Sequence, residues 1–399
     1  MDTKLFKPHT FPEKMGKRIC FFTAGFAFNR LNRMRFYEKA MPKDTEIFLF
    51  TTDRWQGKGK EAYQFEWSGL KRTKIFVAKY YWTLPLTLRK FCRENKIDVV
   101  LNIGNRASII LFWFACLFSK TEYIFNMMGW VPIGKEMLRN MLPREVYDYL
   151  YFYFLMLFAK KVTSNDLGVH KRFTGKNKPL LFRLFRNKMK SAYLPPPVDT
   201  DLFHPKNKIA TRKELGLPLN KKIIIFVGRI NPNKAGDILV ELIKRNQDIL
   251  FIVIGKSNLK EFDNLKSRNL IYYSKKNPEE LVDYYNASDL SFLLMRLRAS
   301  GLGQTVEESL ACGLPVIGRE LEGAEKTPAL MGIPPIKEIR TKLVYSLDYG
   351  VKESERLIKD FFNKSKNERA KISKMAREYA LKYYSHKVWM NPHAKEYLN

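Results

Sequence analysis

Histidine and cysteine are scarce in this chain, with five and four copies among 399 residues. Cys20, Cys92, Cys116 and Cys312 lie far apart with no C-x-x-C pair. This spacing argues against a disulfide framework or a cysteine zinc site and predicts buried free thiols in a reducing compartment. Long apolar runs are missing too: 107–119 and 149–159 fall short of the roughly 20 residues that a spanning helix needs. The opening MDTKLFKPHTFPEKMGKR has no apolar signal-peptide core. No transmembrane anchor is predicted, and a cytoplasmic location is expected. Acidic residues are also few, 40 Asp+Glu against 71 Lys+Arg, which leaves a net charge of +31. An excess of that size implies anionic partners: nucleic acid, an anionic membrane surface or phosphorylated substrates.

Apolar material is plentiful. With 45% hydrophobic and 14% aromatic residues, the chain can pack two cores, and its length predicts two domains. In the first half, strand candidates at 18–23, 45–51, 74–79, 97–103 and 122–127 alternate with helical stretches at 84–95 and 107–118. A basic helix with Arg30, Arg33 and Arg35 follows the first strand, after Gly25. Such alternation predicts a parallel sheet covered on both faces, Rossmann-like in character. The aromatic stretch 147–160 is either a buried helix or one that dips into a bilayer surface, feeding a strand at 161–164. The segment from Lys171 to Lys190 interleaves Lys and Arg with Phe and Leu, and reads either as a solvated loop and helix or as a contact with anionic lipid.

The proline-rich YLPPPVDTDLFHP, 193–205, marks the domain junction. Its Asp199 and Asp201 resemble a D-x-D metal pair, but their proline-flanked setting predicts turn-capping carboxylates instead. The second half repeats the alternation: strands at 222–227, 249–254, 270–273, 290–294 and 315–318, with helices at 235–245 and 279–287. A charged helical region follows from about Glu353. Ligands of such sheets bind beyond the strands' carboxyl ends, and two stretches fall there. In FVGRINPNKAGD an apolar strand stops at Gly228, followed by Arg229 and Lys234, two cations that complement a diphosphate. In SGLGQTVEESLACGLPV a small-residue loop opens into a short helix, 305–312, ended by Gly313 and Pro315; a helix start with free N–H groups suits phosphate. Together they suggest a nucleotide-sugar site.

The order and spacing of YLPPPVDTDLFHP, FVGRINPNKAGD, LFIVIGK, PEELVDYYNASDLSFLL, GLGQTVEESLACGLPVIG and REYALKYYSHKVW resemble family 4 of the retaining glycosyltransferases (glycosyltransferases group 1). The resemblance covers most of the second half and implies the GT-B fold, two Rossmann-like domains facing across a cleft. The expected division is 1–200 on the acceptor side, 201–375 for the nucleotide sugar, and a helical tail, 376–399, packing back on the first domain. The resemblance makes Arg229 and Lys234 the catalytic clamp on the donor diphosphate. Gly228 and the backbone of Gly303, Gln304 and Thr305 adjoin it. Glu308 would hold the ribose hydroxyls, and Tyr273, Ser274 and Lys275 would lie against the nucleobase. Gly25 sits where the family has a glycine-rich loop. In two places the pattern departs from the family: Ser300 stands for its first glutamate, at the transferred sugar, and Asn126, Met127 and Met128 occupy the place of a common histidine. Arg296 and Arg298 either cap a strand end or meet an acidic group.

The implied reaction uses no metal, cofactor or enzyme nucleophile. The implied donor is a UDP- or GDP-linked sugar, and the acceptor a lipid-linked or surface glycan, with the enzyme peripheral at a membrane's inner face. Nucleic acid is no partner in this reading. The competing reading is a catalytically degenerate GT-B protein that binds polyanions through its charge, and a phosphorylase or epimerase on the same fold would need groups that the motifs do not supply.

Overall fold

The computed structural model describes residues 16–23, 28–52, 69–78, 84–103, 120–127, 159–165, 170, 192–294, 303–318 and 347–398. The chain separates into two compact units: 2–196 with 389–399, and 197–388. The expectations placed on Gly25, Cys116, Met128, Arg296, Arg298, Ser300, most of the aromatic stretch 147–160 and the basic run from Lys171 to Lys190 fall outside the described residues.

The first unit is a seven-stranded parallel sheet. Its strands are β1 (Arg18–Thr23), β2 (Glu46–Thr52), β3 (Thr73–Ala78), β4 (Val99–Asn102), β5 (Glu122–Met127), β6 (Lys161–Ser164) and β7 (Ala192–Tyr193), in the order β3-β2-β1-β4-β5-β6-β7. Ile19 to Thr23 are all buried, as expected for a central strand covered on both faces. Helices α1 (Phe28–Ala40) and α2 (Leu84–Glu94) belong to this unit. Strand β4 is shorter than the expected 97–103 because the Ile97 amide turns back to the Cys92 carbonyl, closing the end of α2. At the sheet's carboxyl edge the side chains are polar yet buried: Thr163 Oγ1 donates to Asn126 Oδ1 at 3.2 Å, and Asn102 Oδ1 accepts the Asn126 amide at 3.1 Å.

The last helix of the chain, His386–Leu398, delivers residues 389–398 to this same unit. Trp389, His393 and Tyr397 recur at four-residue spacing and so share one face. They meet Tyr193 edge-on at 5.7 Å, Phe36 at 4.9 Å and Tyr37 at 5.9 Å. Lys161 secures the helix end through the Glu396 carbonyl at 2.9 Å and its carboxylate at 3.1 Å.

The second unit is a five-stranded parallel sheet of β8 (Lys222–Val227), β9 (Ile249–Ile254), β10 (Leu270–Tyr273), β11 (Leu290–Phe292) and β12 (Val316–Ile317), ordered β10-β9-β8-β11-β12. In chain order its helices are α3 (Lys208–Glu214), α4 (Gly236–Arg245), α5 (Lys260–Asp263), α6 (Pro278–Ala287), α7 (Gln304–Ala311), α8 (Leu347–Asn363) and α9 (Lys366–Tyr383). The charged helical region thus begins six residues before the expected Glu353. Strands β8 and β9 are runs of Ile, Val, Leu and Phe, buried nearly throughout. They pair in register from Lys222↔Ile249 to Val227↔Ile254, which brings their carboxyl ends level. The buried guanidinium of Arg212 ties α3 to the sheet, pairing with Asp289 at 2.8 Å while the same carboxylate oxygen accepts the Ile223 amide.

Asp199 and Asp201 adopt the turn expected of them. Asp199 Oδ1 accepts the amides of Asp201 and Leu202 at 3.1 and 3.2 Å, and Asp201 pairs with Lys387 at 2.6 Å. His386 lies close to both carboxylates, and its Nδ1 accepts the Thr200 amide at 3.2 Å. Nδ1 is therefore unprotonated, and Nε2–H points to Asp201 Oδ2 at 3.3 Å. A cation there would compete with bonds already made.

Candidate active site

Strand β8 ends where its apolar run gives way to glycine. Gly228 has φ +153° and its amide donates to the Ile254 carbonyl at 2.9 Å. Gly255, at the equivalent end of β9, has φ +145°, and a Cβ there would lie 1.9 Å from the Gly228 carbonyl oxygen. Only glycine permits this pinch between two strand ends.

The chain after Gly228 turns back on itself. Asn231 Oδ1 accepts the Lys234 amide at 3.0 Å, Pro232 opens a single 3₁₀ turn over Pro232–Lys234, and Ala235 adopts a left-handed conformation at φ 52° before α4 begins. As a result the Lys234 side chain folds over Gly228, its Nζ lying 3.0 Å from where a Cβ on Gly228 would be. Lys234 is half-buried while Arg229 is exposed. Burial first, and the Arg229 charge second, hold the Lys234 pKa below that of an ordinary lysine. An anion bound here would relieve both penalties.

Helix α7 begins beyond β11, the neighbour of β8, and therefore on the same edge of the sheet. Its N-cap is Gly303 (φ 86°), which offers no side chain to the helix start. The Val306 and Glu307 amides bond to the Gly303 carbonyl, whereas those of Gln304 and Thr305 donate to nothing among the described residues. Two N–H groups at the positive end of a helix form an anion-binding feature. One turn on, Glu308 is buried, and Tyr285 of α6 donates its hydroxyl to Oε2 at 3.2 Å. Burial pushes the Glu308 pKa up to about 8, the Tyr285 hydrogen bond pulling the other way. Burial thus favours the protonated form of this carboxyl. Ser274 lies exposed just beyond β10, and beside it Lys276 sits 4.5 Å from the Tyr273 ring centre and pairs with Glu280 at 2.8 Å.

Gly228, Arg229, Lys234 and Ser274 thus lie at or just beyond strand ends on one edge of one sheet, Gly303, Gln304 and Thr305 open the helix between β11 and β12 of that sheet, and Glu308 lies one turn into it. Ser300 and Gly25 lie outside the described residues. Three partners had not been singled out: Tyr285 as donor to Glu308, Gly255 as the glycine that admits Gly228, and Arg377. The Arg377 guanidinium donates to the Ala311 carbonyl at the end of α7, to Phe203 O at 2.7 Å and to Thr200 O at 3.2 Å. Of these only Gly255 carried a visible signal, a glycine directly after a buried strand.

Comparison with known proteins adds to this geometry. Residues 207–379 match the family described as Glycosyl transferases group 1. The D-inositol 3-phosphate glycosyltransferase of Mycolicibacterium smegmatis is 32% identical over 139 residues, covering 32% of this chain and 32% of that protein. The protein of the same name from Segniliparus rotundus is 29% identical over 144 residues, covering 33% and 32%. The matched segment thus spans about a third of these relatives' length. Among solved structures, Anabaena HepE in complex with UDP-glucose aligns over 96% of this chain and 99% of its own, with TM-score 0.69 and 13% identity. WaaG, a glycosyltransferase involved in lipopolysaccharide biosynthesis, aligns over 95% and 99%, with TM-score 0.65 and 15% identity. The fold is that of the GT-B glycosyltransferases.

Proposed function

We propose that this chain, whose residues 207–379 match the glycosyl transferases group 1 family, is a retaining glycosyltransferase that moves a sugar from a nucleotide diphosphate to a hydroxyl of a glycan or lipid-linked acceptor. The observation that carries the reading is Lys234 folded over Gly228 beside Arg229, with the uncapped start of α7 on the same edge of the sheet. HepE, with this fold, binds UDP-glucose, which supports a uridine donor here.

In this reading the bond between the anomeric carbon and the distal phosphate oxygen breaks, and negative charge develops on that phosphate. Arg229, Lys234 and the Gln304 and Thr305 amides meet it, already oriented, so little reorganisation accompanies the reaction. The acceptor oxygen bonds to the anomeric carbon from the face the phosphate leaves, and its proton passes to the departing phosphate. Glu308 accepts the ribose hydroxyls, and Ser274 lies by the base. The net charge of +31 supports an anionic or membrane-bound acceptor, and with it a peripheral location. No helix among the described residues is long and apolar enough to cross a membrane.

Thermal unfolding with UDP, GDP, ADP and their sugars tests the proposal. A ligand at about 100 times its dissociation constant adds about 2.7 kcal/mol, a shift of several degrees for domains of this size. One nucleotide should stabilise the wild type and leave Arg229→Ala plus Lys234→Ala unmoved. Equal shifts in both proteins would remove the clamp from the reading. Salt-sensitive binding of any polyanion without nucleotide preference would favour a polyanion-binding protein.

A further inference from the structure

A second basic site lies at the other end of the first unit's sheet. A cavity of about 850 Å³ opens at the amino ends of β1, β4 and β5, beside the last turns of α2. Six cations line it: Lys17, Arg89, Lys90, Arg93, Lys96 and Lys120. Two carboxylates join them, and both are already engaged. Asp98 accepts the Arg18 amide at 2.8 Å, and Glu122 pairs with Lys160. Lys90 meets Glu94 only at 3.8 Å, and Lys17 donates to the Leu398 carbonyl. Arg89, Arg93, Lys96 and Lys120 have no carboxylate partner among the described residues. The inner wall is apolar, with Cys92 and Ile97 buried, while Leu86 stands 74% exposed at the rim.

Cations near a helix C-terminus complement its dipole, which accounts for Arg93 and Lys96. It does not account for Lys120, which arrives from the segment before β5, or for Lys17, which precedes β1. Three separate segments bring like charges to one concavity, where they repel one another unless an anion sits between them. The volume is that of a small-ligand site.

We propose that this cavity binds a phosphate-bearing ligand, with Arg89, Lys96 and Lys120 as its principal contacts. The ligand is either a soluble phosphate or the headgroup of an anionic lipid, whose chain would pass the exposed Leu86. The site is independent of the sugar-transfer reading, since it lies in the other unit and at the opposite end of its sheet.

The test uses the full chain carrying Arg229→Ala and Lys234→Ala, so that phosphate binding in the second unit is weakened. In that background Arg89→Ala, Lys96→Ala and Lys120→Ala are combined. They are compared with a control that loses equal charge at the exposed Lys352, Lys359 and Lys371. Pyrophosphate is titrated by calorimetry, and sedimentation is measured with phosphatidylcholine vesicles with and without phosphatidylglycerol. All six positions are exposed, so thermal midpoints should match. Loss of the cavity cations should weaken binding at least about tenfold, as for several charge-assisted contacts, and the control should change it little. A loss of pyrophosphate binding confined to the cavity variant identifies a soluble phosphate, and a loss confined to phosphatidylglycerol vesicles in that variant identifies a headgroup; either supports the site. Equal losses in cavity variant and control, or no loss in either, overturn it.

Discussion

Tyr285 and Glu308, 23 residues apart in sequence, meet inside the second unit, the phenol donating to the carboxyl across 3.2 Å. The same hydroxyl reaches the Thr305 carbonyl at 3.3 Å, so α6 braces the first turn of α7 through a single oxygen. With its pKa raised from 4.5 to about 8, Glu308 in the folded protein holds its proton over a range where the unfolded chain has released it. Its contribution to stability is therefore complete below about pH 4.5 and is lost as pH rises to about 8. Glu308→Gln lacks this dependence. Relative to wild type it should gain stability with rising pH across that window, by up to about 4 kcal/mol. Urea unfolding at several pH values reads the difference, and a flat difference would mean that Glu308 is ionised throughout. Donor binding should weaken in the variant at every pH.

Gly255→Ala is the sharpest test of the strand-end geometry. A methyl group 1.9 Å from the Gly228 oxygen forces the ends of β8 and β9 apart, and φ of +145° is unfavourable for alanine as well. The expected cost is about 3 kcal/mol or more, read by denaturant unfolding. Donor affinity should fall too, because Gly228 carries the backbone over which Lys234 lies. Gly216→Ala serves as a comparison: its φ is +64° with nothing within 4 Å of the added methyl, so it should cost only about 1 kcal/mol.

Much of this was legible because the signals are local. The runs KIIIFV and ILFIVI gave β8 and β9 their observed limits, and glycine and proline after Ala311 marked the end of α7. Arg229 and Lys234 were visible as cations after a strand. The expected helix at 235–245 begins one residue later, because Ala235 takes the left-handed turn that places Lys234. Contacts made at a distance left no such trace. The Tyr285 hydroxyl, the three carbonyls held by Arg377 and the basic cavity each join segments that come together only once the sheet order is known. Crossover connections set that order, and no residue pattern within a strand encodes it.

His393 supplies an acid-sensitive contact in the first unit. Burial lowers its pKa to about 3, its Nδ1–H donates to the Trp389 carbonyl at 2.8 Å, and the nearby Arg33 charge lowers it further. The unfolded histidine takes up a proton near pH 6.5 while the folded one does not. Stability is therefore full above about pH 6.5 and falls as pH drops toward 3, by up to about 4 kcal/mol. His393→Phe should flatten this part of the acid profile, followed by near-UV circular dichroism of the surrounding aromatic cluster. An unchanged profile would place the acid sensitivity in the carboxylates.

Lys234 links the candidate site to pH through nucleotide binding rather than through folding stability. Its pKa is depressed in the free protein by burial and by Arg229, and a bound diphosphate would restore it. Below the depressed value the lysine is charged already and binding needs no proton. Above it, binding must take one up, so nucleotide affinity should fall as pH rises, with the decline beginning below the ordinary lysine range. Lys234→Met, which keeps the stem and removes the charge, should lower affinity by about ten- to a hundredfold, the worth of one charge-assisted hydrogen bond. It should also abolish that slope and leave the protein at least as stable, since a repelled, half-buried charge has gone. Arg229→Ala should lower affinity too but shift the slope to higher pH, because the remaining lysine no longer faces a second cation. Calorimetric titration of UDP in buffers of different ionisation enthalpy measures both affinity and proton uptake. A slope that survives Lys234→Met would assign the titration to another group and remove Lys234 from contact with the diphosphate.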